Sequence, residues 1–409
     1  MPDPAKPSTS FWRCESCGTP NPEASYLQSC LGCGRPRPAR RTPTAPSQAT
    51  RPGKSGPDAE DKAYADAPLG LKGWLVRVSL VYAGVVLLVL VVMRWVGDAW
   101  WGTTLLLVMP RYAWLAPVGI LALAAGLGRS YRSLAILSAT ALVVAGPLMG
   151  LALPLPRLVE RLPPGEKVRV ATFNLGTEGV TVTPLDAWLT REGIGVVCLQ
   201  EGDSRNDTFY NDLESRGWSV NKRRTIASRW PVVAELDSLP DESTQDGLYT
   251  AVLDRLRVRT PGGREVVVAS VHLPTLRAGF EGILKGQVDP LTLHLSWWGR
   301  QMSRVLESLS RASDVPMLVG GDFNMPPDDS TMHSLRSSFR YAFDEAGWGY
   351  GYTRPAAHPW VRIDHLLASR EWYVTACKVG PDLGSDHLPL VAEFLLPAKG
   401  KSQDLQRPR

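Results

Sequence analysis

The sequence predicts an α/β layered domain over residues 165–398, carried behind three transmembrane helices and a small four-cysteine finger. Three observations lead there. Short runs of largely β-branched apolar residues, Val168–Ala171, Val196–Leu199, Val266–Val271 and Met317–Val319, have the composition of strands covered on both faces. Among them lie apolar stripes at helical spacing, such as Leu295, Trp298, Met302, Val305, Leu306 and Leu309, which read as a helix packed on a sheet rather than a cofactor box. Ahead of both, residues 73–156 are almost wholly apolar, and two CxxC pairs precede them.

In chain order, the first element is the finger, residues 10–35. Cys14 and Cys17, then Cys30 and Cys33, are two CxxC pairs separated by twelve residues, the spacing of a tetrahedral Zn2+ site built from two tight knuckles. Two disulfides in an exported segment are the alternative. Residues 1–11 are polar with three prolines and carry no cleavable signal, which favours reduced, zinc-bound thiolates in the cytosol. With Trp12 two residues before the first Cys and Asn21 four after the second, the segment resembles RanBP2-type zinc fingers. A structural or protein-docking role is favoured for it over RNA binding. Residues 36–72, rich in Pro, Ala, Ser and Arg without apolar periodicity, read as a disordered linker, and residues 399–409 as a basic disordered tail.

Leu75–Trp95 is apolar apart from Arg77 and Arg94 near its ends, long enough for the roughly 20 residues that cross a bilayer. Tyr112–Leu127 is short unless it starts near Thr104 and takes in Pro110 and Arg111; either Arg111 snorkels outward or the helix begins after it. Leu134–Leu155 is the third stretch, with the Gly and Pro that membrane helices tolerate. Trp74, Trp95, Trp100, Trp101 and Trp114 fall near the ends as an interfacial belt. Buried soluble helices are disfavoured because the stretches have almost no polar face. The basic stretch before the first helix and the Arg129/Arg132 loop belong on the cytoplasmic side, so three crossings put the α/β domain outside the cytoplasm and leave the finger within. The expected location is a cell membrane, multi-pass, with the lipid bilayer as a partner.

Within the domain, Thr183-Pro184-Leu185-Asp186 is a helix start with Thr at the N-cap, and Leu185, Trp188 and Leu189 give that helix its apolar face. Asn174, Glu201, His272, Asp322 and Asn324 each follow an apolar run, and Ser385-Asp386-His387 adds a further polar group. One such residue is commonly a solvated cap or a turn Asn. Several of them, carried on strand ends, point into a shared space. His294, His333, His358 and His365 have no motif and read as ordinary histidines; Cys198 and Cys377 lie in strand-like runs and read as small buried hydrophobes, with no spacing that proposes a disulfide. The whole chain carries +5, but residues 165–398 hold 24 Lys/Arg against 30 Asp/Glu, a net of −6. The domain total therefore lacks the basic footprint of a bulk nucleic-acid binder, and DNA is the less favoured partner.

Taken in order, Ala171-Thr172-Phe173-Asn174-Leu175, Leu199-Gln200-Glu201, Ser270-Val271-His272-Leu273, Gly321-Asp322-Phe323-Asn324, Arg362-Ile363-Asp364-His365 and Ser385-Asp386-His387 resemble the endonuclease/exonuclease/phosphatase superfamily over residues 165–398. That superfamily includes deoxyribonuclease I, abasic-site endonucleases, neutral sphingomyelinases and inositol polyphosphate phosphatases. The resemblance implies two mixed sheets packed face to face with helices outside, and a metal-dependent phosphoesterase. It makes Glu201 the main metal ligand, with Asn174 beside it orienting metal or phosphate. Glu201 and Asp386 are hard oxygen donors suited to Mg2+ or Mn2+ rather than Zn2+. It further implies that Asp322 activates water, that Asn324 hydrogen-bonds a non-bridging phosphate oxygen, that His387, oriented by Asp364, contacts the phosphate as a cation, and that His272 sits on the phosphate or near the leaving group. Three helices followed by such a domain also resemble bacterial membrane proteins of the teicoplanin-resistance type, which implies a polyprenyl or other lipid-linked phosphate as substrate; the finger departs from that group. The alternatives are an extracytoplasmic nuclease, against which the domain charge counts, and a non-catalytic membrane adaptor, against which the full set of acids and histidines counts.

Overall fold

The computed structural model describes residues 11–13, 20–22, 70–97, 100–176, 179–202, 207–239, 252–310 and 315–398. Cys14, Cys17, Cys30 and Cys33, most of the 36–72 linker and the 399–409 tail lie outside the described residues. The chain divides into two compact units, Met1–Trp74 and Leu75–Arg409. The first contains a short antiparallel pair, β1 (Phe11–Arg13) and β2 (Pro20–Pro22).

α1 (Leu71–Trp95) has 25 residues, about 37 Å at 1.5 Å per residue, more than the ~30 Å hydrocarbon core of a bilayer. It leaves Leu80, Val81, Leu87, Leu88 and Val91 exposed, an apolar face suited to lipid. The second apolar stretch is broken. α2 (Trp101–Val108) stops before Pro110, which has no N–H to donate. A single 3-10 turn, Arg111–Trp114, leads into α3 (Leu115–Leu127), and the two segments meet at 91°. α4 (Tyr131–Val143) continues as a π turn, Val144–Leu148, that contains Pro147. The third stretch thus ends at Leu148 rather than Leu155, because Gly150 turns the backbone at φ +76° and Ala152 then bridges to Gly349. Among the described residues two helices are long and apolar enough to cross a membrane, or three if the bent pair counts as one span.

Two mixed six-stranded sheets follow, flanked by helices. The chain enters through β3 (Gly165–Asn174), α5 (Val182–Arg191), β4 (Val196–Gln200), α6 (Asp207–Ser215), β5 (Ser219–Val220), β6 (Ile226–Ser228), β7 (Val232–Leu239), β8 (Val252–Arg259) and β9 (Glu265–His272). It continues through α7 (Arg277–Leu284), α8 (Asp289–Ser310), β10 (Met317–Asp322), α9 (Ser330–Ser334), β11 (Phe339–Tyr341), α10 (Ala342–Ala346), β12 (Asp364–Ser369), β13 (Tyr373–Val379) and β14 (Leu390–Pro397). One sheet has the order β13-β14-β3-β4-β6-β5, the other β11-β12-β10-β9-β8-β7, and β3/β4 and β9/β10 are their parallel pairs.

The period of two along a strand sorts the residues. Val168, Val170, Val196 and Cys198 of one sheet meet Leu256, Val266, Val268, Leu318 and Leu366 of the other in a common core. Their neighbours turn outward. Ala171, Phe173 and Val197 pack with Leu185, Trp188 and Leu189 of α5, and Val267, Ala269 and Val319 pack with Trp298, Met302 and Val305 of α8. The helix expected from Thr183 begins at Val182; Thr181, extended at φ −118°, occupies the cap position and makes no side-chain cap bond. Cys198 and Cys377 are buried free thiols, as their composition implied.

Candidate active site

Continuing the same alternation past the core predicts where the polar strand ends go. Asn174, Gln200, His272, Asp322 and Asp364 all share the parity of the inward residues, so they lie between the sheets at one end of the sandwich. Register sets them in rows. His272 is the partner of Asp322, Asp322 of Asp364, and in the other sheet Asn174 of Gln200. The rows are tied across the gap: Asn174 Nδ2 donates to Asp322 Oδ2 at 3.0 Å and to Glu201 Oε1 at 2.9 Å, and Gln200 Nε2 donates to Ser270 Oγ at 3.1 Å. The N–H of Gly176 donates to Asn174 Oδ1 at 2.9 Å, which fixes the amide with its nitrogen toward the carboxylates.

Two of these residues stand in the left-handed region, Glu201 at φ 56° and Asn324 at φ 52°. Asn tolerates that region; for Glu it is uncommon and costs on the order of 1 kcal/mol or more. Each is the first bend after a buried strand. Asn324 is held by its N–H donating to Asp322 Oδ1 at 2.8 Å and its Nδ2 donating to Leu273 O at 2.8 Å. Ser385 Oγ donates to Asn174 O at 2.8 Å and accepts from His387 N at 3.0 Å, which brings the Ser385–His387 turn against β3. Two glycines permit this closeness: a Cβ on Gly321 would stand 2.0 Å from Val271 O, and one on Gly176, at φ +61°, would stand 3.1 Å from Asp386 Oδ1.

His387 Nδ1 lies 2.9 Å from Asp364 Oδ2, and its Nε2 lies 3.7 Å from Asp322 Oδ2, with all three residues buried. Burial alone would lower the imidazole's pKa, but Asp364 and Asp322 outweigh it and raise it to about 9. Asp364 is also disfavoured as an anion by burial, yet the attraction and hydrogen bond of His387 hold it below the usual carboxylate range. Asp322 goes the other way. Burial and then repulsion from Asp364 push it up, against the pull of His387, His272 and Asn174. The end of the sandwich therefore holds a cationic histidine, an anionic orienting carboxylate and a second carboxylate with raised proton affinity.

Among the described residues, Asp322, Asp364 and His387 form a cluster tight enough to hold a metal ion. A protonated imidazole whose Nδ1 is committed to Asp364 is a poor ligand, so the oxygen donors beside it are the better fit for a hard cation. Glu201 and Asp322 share Asn174 as a common donor, Glu201 being partly open to solvent. His272 Nε2 stands 4.0 Å from Glu201 Oε1. Asp386 lies at the rim, 51% exposed, and its Oδ2 accepts from Arg354 Nη2 at 2.8 Å. The sequence reading passed over Arg354 and Thr353. Thr353 Oγ1 accepts from the N–H groups of Ile363 and Asp364 at 3.3 and 3.4 Å, a contact no motif records. His365 is buried, with Nε2 2.9 Å from Met325 O, and burial first, then Arg362, lowers its pKa to about 4; it is a neutral core histidine. His294 is likewise buried.

Comparison with known proteins follows the same segment. The model of the endonuclease/exonuclease/phosphatase family matches residues 171–387, just over half of the chain. No curated protein matches significantly. Among solved structures, an endonuclease/exonuclease/phosphatase family protein from Bacteroides thetaiotaomicron is similar at 14% identity and a TM-score of 0.42, covering 57% of this chain and 100% of its own. The human nocturnin catalytic domain is 20% identical with a TM-score of 0.38, covering 58% of this chain and 98% of that one. A mannosyl-6-phosphatase from Bacteroides thetaiotaomicron is 15% identical with a TM-score of 0.40, covering 56% and 100%.

Proposed function

The chain belongs to the endonuclease/exonuclease/phosphatase family, and from that premise we propose that it is a membrane-anchored, Mg2+- or Mn2+-dependent phosphoesterase acting outside the cytoplasm on a lipid-linked phosphoester or pyrophosphate. Hydrolysis of phosphoesters is the family's chemistry, and it is divalent-metal dependent. The observation that carries the site assignment is the row His272–Asp322–Asp364, closed by Asn174 and His387.

The donor set fits a hard divalent cation: Glu201 and the rim carboxylate Asp386 offer oxygens, and Asp364 Oδ1 is buried without a hydrogen-bond partner among the described residues. Bound there, such a cation neutralises phosphate charge and lowers the pKa of water. Asn174, whose nitrogen donates to Glu201 and Asp322, holds the two carboxylates together and orients metal or phosphate beside them. Asp322, with its raised proton affinity, takes the proton of the attacking water. Asn324 has one amide N–H committed to Leu273 O and the other for a non-bridging oxygen. His387, charged by Asp364, stabilises negative charge as the phosphorus becomes five-coordinate, and His272 stands by the leaving oxygen.

The extracytoplasmic placement rests on the basic residues at 35–54 and on Arg129 and Arg132, and the lipid substrate on the exposed apolar face of α1 together with the −6 charge of the domain. The finger, with Zn2+ on Cys14, Cys17, Cys30 and Cys33, is a cytosolic docking module. The test is the full chain in bilayer vesicles with Mg2+, offered polyprenyl pyrophosphate, sphingomyelin, inositol phosphates and plasmid DNA. Hydrolysis of the polyprenyl substrate above the others is the expected result. Preferential cutting of DNA would replace this reading by the nuclease.

A further inference from the structure

The apolar helices present backbone carbonyls that lack intrahelical partners, and the phosphoesterase domain supplies donors to them. Tyr350 Oη donates to Ala145 O at 3.0 Å, Tyr352 Oη to Met149 O at 2.8 Å, and Trp360 Nε1 to Val108 O at 3.2 Å. These are end-of-helix carbonyls of α2 and of the turn after α4, which would otherwise be orphaned. Ala152 and Gly349 exchange backbone bonds at 2.8 and 3.1 Å. Trp101 and Leu105 of α2 pack into the apolar layer that also contains Trp298 of α8. At the centre of these contacts is Arg111, the cation that made the second apolar stretch an awkward span. It is 5% exposed, donates to Leu107 O at 2.8 Å and to Leu148 O at 3.1 Å, and is ion-paired with Asp328 of the domain.

Asp328 is the fourth residue after Asn324, and two of the three residues between them are Pro326 and Pro327. Their fixed φ makes that segment a stiff strut rather than a slack tether. Its other anchors are His365 Nε2 at Met325 O and Asp329, whose Oδ1 caps α9 by accepting from Thr331 N and Met332 N. A second link runs in parallel. Trp360, bound to the end of α2, donates its backbone N–H at 3.0 Å to the carbonyl of Arg354, whose side chain holds Asp386. Both loops that border the site are thus braced on the helices.

We infer that the helices are a working part of the active site, and that Arg111 is a positioning residue which, through Asp328 and the Pro326–Pro327 strut, sets Asp322 and Asn324 for the reaction. An unpaired guanidinium at this depth is costly, so the pair also resists separation of domain from helices. The inference depends on the phosphoesterase reading for its kinetic arm alone.

The test uses the full chain in bilayer vesicles, with a protease site inserted between Arg161 and Leu162, in the covalent connection to β3. After cleavage the wild-type domain should sediment with the vesicles and retain its turnover, and Asp328→Arg, which sets two guanidinium groups face to face, should release it. In the uncut chain, Arg111→Met and Asp328→Asn should each lower kcat per folded molecule about tenfold, the scale expected when a catalytic group is misplaced by a fraction of an ångström, with KM unchanged. The double variant should be no worse than either single one, and Arg111→Lys should recover part of the loss. Release of the cleaved wild-type domain, or an unchanged kcat in Asp328→Asn, would overturn the inference. Because release is read by sedimentation, a wild-type domain that stays bound but hydrolyses no phosphoester would count against the proposed function and leave the docking intact.

Discussion

His387 carries a charge in a buried place because two carboxylates outweigh the cost of its desolvation, and the one in direct contact, Asp364, does most of the work. Removing that carboxylate as Asp364→Asn leaves the burial and takes away the attraction, so the imidazole pKa must fall. The alkaline limb of the pH–rate profile should therefore move to lower pH, and turnover at neutral pH should fall less than in His387→Ala. An alkaline limb that stays in place would separate His387 from that titration. A neighbouring histidine has the opposite sign. His365 is held neutral, with its folded pKa lowered from 6.5 to about 4, so the unfolded chain binds the proton more readily. Its contribution is complete above about pH 6.5 and is lost as the pH falls toward 4, amounting to about 3 kcal/mol at the 1.36 kcal/mol of one pKa unit. His365→Gln should flatten that part of the stability–pH curve, measured as the difference in unfolding midpoint between variant and wild type; parallel curves would refute it.

Elements place these residues, and this was the scale at which the sequence was most legible. The β-branched runs located β3, β4, β9 and β10, and Asn174, His272 and Asp322 fell on the inner face because side chains alternate, whereas Glu201, one residue past the inward Gln200 that ends β4, reaches Asn174 from a left-handed bend. What the runs could not convey was register: nothing in the sequence says that His272, Asp322 and Asp364 become neighbours in one row, or that Asn174 reaches across to Asp322. Arg354 and Thr353 stayed invisible because they sit on an irregular loop with no periodicity, and Glu201's left-handed backbone has no compositional signature. The helix stripe was legible down to its anchor. Trp298 of α8 is fully buried and its Nε1 donates at 2.8 Å to Phe323 O, the carbonyl between Asp322 and Asn324. Trp298→Ala should cost about 3–5 kcal/mol of stability and lower activity beyond the loss of folded protein, since the freed carbonyl lies inside the Asp322–Asn324 turn. Loss of stability with full activity per folded molecule would confine α8 to packing.

For the whole molecule, apolar composition announced helices long and apolar enough to cross a membrane and marked Pro110 and Arg111 as the weak point of the second stretch, but it could not foresee that Arg111 would pair with Asp328, because that partner lies more than two hundred residues away. With α1, the bent pair and α4 each crossing once, a reporter at Met1 should be active only in its cytosolic form and one after Arg409 only in its extracytoplasmic form. Both ends on one side would mean that the bent pair does not cross. Zinc, where found, should disappear with residues 1–35 and leave hydrolysis unchanged. The central claim is that Glu201, Asp322 and His387 form a metal-assisted phosphoesterase centre, and the most direct measurement is turnover of the full chain in vesicles before and after EDTA, with Mg2+ restored, for wild type, Glu201→Gln and Asp322→Asn. Loss with EDTA, recovery with Mg2+ and a fall on the order of 10²–10³ in each variant at intact fold is the predicted result. Full turnover in EDTA, or near wild-type turnover in Asp322→Asn, would contradict it.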